Sequence, residues 1–160
     1  MKIRYISAEE AKHIHDSTIN LSGGGEYGEI NIGYLYSVLD HIQNDDYYPS
    51  FEDKLVHLIW SINKNHAFSD GNKRLSITLG LQFLNNNGYL YCIPRFLTEM
   101  ENISYHLAKG KDIISKDLLT ELIHSILENE PDFNEELKLR YMMACSQFND
   151  EDEENEISYL

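Results

Sequence analysis

The positions of apolar residues repeat at helical spacing along most of the chain. Ser7 followed three residues later by Glu10 is a capping box. It opens a helix predicted to run to about residue 20. A second helical stretch is predicted from about 33 to 44, with a turn at 45–49. Ser50 and Asp53 cap a third helix, in which Leu55, Leu58, Ile59 and Ile62 fall at i, i+3, i+4 and i+7. Residues 65–72 interrupt the pattern. A fourth helix is predicted from about 72 to 87 and stops at Gly88, a good residue just past a helix end. Its apolar residues Leu75, Ile77, Leu79, Leu81, Phe83 and Leu84 go most of the way round, which predicts a central helix buried on several sides. Residues 89–93 read as a short extended link ending at Pro94. Further helices are predicted at about 95–108, 115–129 and 134–147, separated by Gly110 and Pro131.

Two segments depart from this pattern. Gly23, Gly24, Gly25 and Gly28 crowd the stretch from 22 to 33, which predicts a loop or hairpin. Residues 149–156 are almost wholly acidic and predict a disordered tail. The fold class is therefore all-α, with one candidate β-hairpin at about 22–32. The expected organisation is one domain over 1–148 and an acidic tail over 149–160.

The composition of the 160 residues is ordinary except for charge: 13 Lys and Arg stand against 27 Asp and Glu, a net charge of −14. That argues against a broad contact with nucleic acid, which needs a basic face. Cys92 and Cys145 match no metal or redox spacing and read as free thiols. No apolar run is long enough to cross a membrane, and no apolar stretch of a signal peptide follows Met1. The expected location is the cytoplasm. The histidines His13, His15, His41, His57, His106 and His124 form no zinc spacing, and His57 reads as a polar core residue.

The chemistry concentrates in nine residues, His66-Ala67-Phe68-Ser69-Asp70-Gly71-Asn72-Lys73-Arg74, between two strongly helical stretches. A Gly- and Asn-containing turn leading into a helix N-terminus is a natural anion site. Lys73 and Arg74 add full charges there. Asp70 is a hard oxygen ligand of the kind Mg²⁺ uses beside phosphates, and His66 is able to take a proton near neutral pH. Together they supply the parts of phosphoryl or nucleotidyl transfer. Read singly, each residue fits a plain helix–turn–helix link.

This segment resembles the signature of the Fic/Doc family, H-x-F-x-(D/E)-(G/A)-N-(G/K)-R, at every specified position. His15-Asp16, the Gly23-Gly24-Gly25 run and the segment Phe83-Leu84-Asn85-Asn86-Asn87-Gly88-Tyr89 are similar to the Doc branch. The resemblance covers roughly residues 3–125. It implies a compact helical domain with a small hairpin flap near the active site. His66 is then the general base that deprotonates a protein hydroxyl, and Asp70 the ligand of the Mg²⁺ that bridges nucleotide phosphates. Gly71 and Asn72 would form the anion nest, with Lys73 and Arg74 holding phosphates, and Phe68 would anchor the loop in the core.

Members that transfer AMP usually have glycine where this chain has Lys73, and a second arginine where it has Ile77. The Doc branch has the lysine and lacks that arginine. Its members transfer the γ-phosphate of ATP to a threonine of elongation factor Tu. The resemblance thus implies a Doc-like toxin of a toxin–antitoxin system, phosphorylating a Ser or Thr hydroxyl of a translation-factor target. Gly71, where Doc has alanine, matches the AMP-transferring consensus, so protein adenylylation is the alternative. A catalytically silent adaptor is the second alternative. The flap candidates are Gly28, Glu29, Ile30, Asn31 and Ile32, with a plain loop as the other reading; Ile30 and Asn31 replace a charged pair often found there. No inhibitory S/T-x-x-x-E-(G/N) helix is present, which points to a separate antitoxin as the inhibitor.

Overall fold

The structure is a computed structural model that describes residues 2–21, 31–64, 69–109 and 112–158. The described residues form seven α-helices: α1 (Ala8–Leu21), α2 (Ile32–His41), α3 (Phe51–Asn63), α4 (Ser69–Asn86), α5 (Ile93–Ala108), α6 (Lys116–Leu127) and α7 (Glu135–Ser158). A short 3-10 turn, Leu90–Cys92, precedes α5. Among the described residues there is no strand, and no helix is long and apolar enough to cross a membrane.

Local chemistry starts the helices where the sequence predicts. Glu10 N–H donates to Ser7 Oγ at 3.1 Å ahead of α1. Ser50 and Asp53 form a complete reciprocal capping box ahead of α3. α4 ends at Gly88, whose φ of +82° is the left-handed conformation glycine adopts without steric cost. The Asn87 amide then pairs with the backbone of the N-terminal segment: Arg4 N–H donates to Asn87 Oδ1 at 2.8 Å, and Asn87 Nδ2 donates to Arg4 O at 3.0 Å. That pairing brings Tyr5 alongside α4.

α4 is the central helix, in contact with α1, α3 and α5. Leu75, Leu79, Phe83 and Leu84 are fully buried, while Ile77 and Leu81 pack on the edge of the core. Phe83 lies 4.7 Å from Phe51 and 6.2 Å from Tyr5, centroid to centroid, and Phe51 stacks on Tyr89 at 4.5 Å. Gly80 permits the closest approach of α4 to α5, because a Cβ there would lie 2.7 Å from Phe96 Cζ. Lys54 is 1% exposed; its ammonium is satisfied by Ile42 O at 2.8 Å and Asp45 Oδ1 at 2.7 Å, which fixes the turn after α2.

Several boundaries differ from expectation. Residues 90–92 form a 3-10 turn rather than an extended link, because burial of Cys92, with its Sγ 3.3 Å from Tyr89 O, tightens the chain into α5. Pro94 therefore sits in the first turn of α5, where its missing N–H costs nothing. The flap candidates Asn31 and Ile32 are not part of a hairpin: Asn31 caps α2, accepting from Gly33 N–H at 2.7 Å, and Ile32 is the first helical residue. Gly28, Glu29 and Ile30 lie outside the described residues. The backbone of α7 is helical to Ser158 and runs through the acidic stretch. Glutamate is a good helix former, so such a run extends a helix without requiring a packed face.

One half-buried titratable group carries a pH prediction. The His57 ring stacks on Tyr48 at 4.3 Å. Its Nδ1 is 3.1 Å from Lys116 Nζ, and its Nε2 lies 3.0 Å from Tyr48 Oη and 3.2 Å from Ser61 Oγ. An ammonium only donates, so Nδ1 accepts and Nε2 carries the proton. Burial, followed by the nearby Lys116 and His41 charges, lowers the His57 pKa from 6.5 to about 4. Between those values the unfolded chain binds a proton that the folded chain does not, so this group makes stability rise with pH. After allowance for solvent screening, about 1–2 kcal/mol is expected to be lost as pH falls through that window. Urea titrations across it should show a shallower acid loss for His57→Gln than for the parent; equal slopes would place the titration elsewhere.

Candidate functional site

α3 delivers the chain to the nine-residue segment and α4 carries it away. His66 and Phe68 lie outside the described residues. Asp70, Gly71, Asn72, Lys73 and Arg74 all lie within α4, which begins at Ser69. This corrects the expected start near 72, and the reason is local: Ser, Asp and Asn favour the first positions of a helix, where their side chains substitute for missing backbone partners. The first turn of an α-helix has no intrahelical acceptors for its N–H groups. Gly71 is buried there, and Asn72 is 1% exposed. The turn expected to cradle an anion is therefore the first turn of a helix, with the partial positive charge of that end.

The next residues show how this turn is held. Ser76 Oγ donates to Lys73 O at 2.9 Å, and Asn63 Nδ2, from the last residue of α3, donates to Ser76 Oγ at 2.9 Å and to Ile59 O at 3.0 Å. Ser104 Oγ, on α5, lies 3.3 Å from Ser76 Oγ. Asn63, Ser76 and Ser104 are at most 1% exposed. They form a buried polar knot joining α3, α4 and α5 directly beneath Lys73. Asn63 Oδ1 is buried with no hydrogen-bond partner among the described residues, a cost of about 1–3 kcal/mol of the sort tolerated close to functional sites.

The Lys73 side chain is 18% exposed, and its ammonium lies 2.5 Å from Glu101 Oε1 on α5. Arg74, one position on, is exposed. Lys64, the residue that caps α3, lies 4.7 Å from the Trp60 ring, and burial lowers its pKa against the opposing pull of Asp112.

Sequence reasoning did not find Asn63, Ser76, Ser104 or Glu101. Asn63 and Ser76 left a weak signal, as polar residues on otherwise apolar faces beside Ile59 and Leu79. Glu101 left none, because an acidic residue on a helix reads as solvated until its neighbour across the interface is known.

Mg²⁺ and ATP are the groups the resemblance implies. Among the described residues, no cluster of three or more His, Cys, Asp or Glu side chains would hold a metal by itself. A single carboxylate at Asp70, followed by buried Gly71 and Asn72 and then Lys73, would suit an ion shared with phosphates. The residues present fit that pair.

A model of the Fic/DOC family matches residues 5–84, a span that contains the whole of this segment, all of α3 and most of α4. No curated protein and no solved structure matches the chain.

Proposed function

Because the chain belongs to the Fic/DOC family, we propose that it is a transferase of the Doc kind, phosphorylating a serine or threonine hydroxyl of a protein from ATP. The observation that carries the choice is the pair of positions Lys73 and Ile77. Lys73 is a mostly buried cation at the place where AMP-transferring members have glycine. Ile77, where they have a second arginine, packs against the hydrophobic core. The second phosphate ligand of that branch is thus replaced by an apolar contact, and a charge is added one turn earlier. Moving positive charge along the phosphate chain changes which phosphorus is best stabilised as it is attacked.

In this reading His66 takes the proton from the attacking hydroxyl. Asp70 would hold the Mg²⁺, which when bound neutralises charge on the phosphates. Gly71 and Asn72 place the first turn of α4 against phosphate oxygens, and Lys73 and Arg74 grip them. Phe68 anchors the loop. The target is a translation factor of the elongation type, the inhibitor a separate antitoxin, and the compartment the cytoplasm. Gly71 favours the second reading, adenylylation, since the Doc branch has alanine there.

Label transfer separates the two. The purified protein is incubated with bacterial lysate, Mg²⁺ and ATP labelled at the α or the γ phosphate. Label from γ alone is expected. Label from α would establish adenylylation, and label from neither would leave a binding module.

A further inference from the structure

The Lys73–Glu101 contact is asymmetric. The lysine end is enclosed: its side chain is 18% exposed, and its backbone sits over the buried knot of Ser76, Asn63 and Ser104. The glutamate end is loose, with 68% of its side chain exposed on the outer surface of α5. Such a carboxylate is able to rotate into solvent at small cost, whereas the ammonium has no comparable freedom. The geometry also aligns the two helices here, because Lys73 and Ser76 are one turn apart on α4 and face Glu101 and Ser104, one turn apart on α5.

Any phosphate gripped by Lys73 must deal with this carboxylate. An ammonium has three donors, but a phosphate brought to the same ammonium stands within a few ångströms of a like charge. We propose that Glu101 is an exchangeable counter-ion of Lys73, which occupies the ammonium in the empty site and is displaced by the phosphates of the nucleotide. It neutralises a half-buried cation when no ligand is present, and it weakens nucleotide binding by the work of displacing it. This rests on the phosphate-binding reading of Lys73 given above.

The test is a calorimetric titration with ATP and Mg²⁺ of the parent chain, Glu101→Gln, Lys73→Met and the double variant, at low and at high salt. Glutamine keeps the shape and removes the charge. Glu101→Gln is expected to bind ATP about two- to tenfold more tightly at low salt, and the gain should shrink as salt screens it. In the Lys73→Met background the gain should vanish. Unchanged or weaker binding by Glu101→Gln would overturn the proposal, since a carboxylate that helps to place Lys73 predicts the opposite sign. An equal gain without Lys73 would also overturn it. If the parent binds ATP and transfers label while Glu101→Gln behaves identically, the counter-ion role fails and the proposed function stands. If no variant binds ATP, both fall.

Discussion

His66→Ala is expected to lower the rate of label transfer about 10²- to 10⁴-fold, the range over which a positioned general base acts. The hydroxyl of serine or threonine is a poor nucleophile until its proton has somewhere to go, and imidazole is the side chain whose ordinary pKa leaves it free to accept one near neutrality. The loss should fall on turnover and leave ATP binding almost intact, because the proposed function gives the phosphates to α4 and its cations. The measurements are single-turnover transfer with γ-labelled ATP and a titration of ATP binding. Full activity in His66→Ala would remove the base from the mechanism. Loss of ATP binding as well would make His66 a phosphate ligand.

Phe83→Ala is expected to cost about 3–5 kcal/mol of unfolding free energy, in the range for emptying an aromatic site in a close-packed core. Phe83 is fully buried and stands between Phe51 of α3 and Tyr5 of the N-terminal segment. Its loss opens a cavity at the junction of three parts of the chain, none of which is free to collapse into it because α4 is gripped along its length by α3 and α5. A fall in melting temperature of about 10 °C or more is expected for a domain of this size. Urea denaturation followed by far-UV circular dichroism gives the free energy directly. A loss below about 1 kcal/mol would mean that the neighbouring rings repack to fill the site. The first turn of α4 is several turns away from Phe83, so ATP binding by the folded variant at low temperature should change little.

The two variants probe a sequence motif and a packed core position, and the sequence pointed to each for a different reason. The nine residues from His66 to Arg74 combine a base, a carboxylate, glycine, asparagine and two cations at the spacing of the family signature. The family match over residues 5–84 covers the same segment. The burial of α4 was legible because apolar residues on nearly all sides of one helix require neighbours on all of those sides. Caps at Ser7 and Ser50 were legible because capping is chemistry between residues three apart.

What the sequence by itself determined is therefore local or compositional: the all-helical class, the capped starts of α1 and α3, the left-handed stop at Gly88, the free thiols and the segment that matches the family signature. The tertiary structure decided every contact between residues distant in the chain. It curled residues 90–92 into a 3-10 turn around the buried Cys92. It also joined Asn63 to Ser76 and Ser104, and gave Lys73 the carboxylate of Glu101 as its partner. The physical reason is that a side chain's helical face and capping chemistry depend on residues within one turn. Its counter-ion and its burial depend on which helix lies opposite, and only the packing of the whole core determines that.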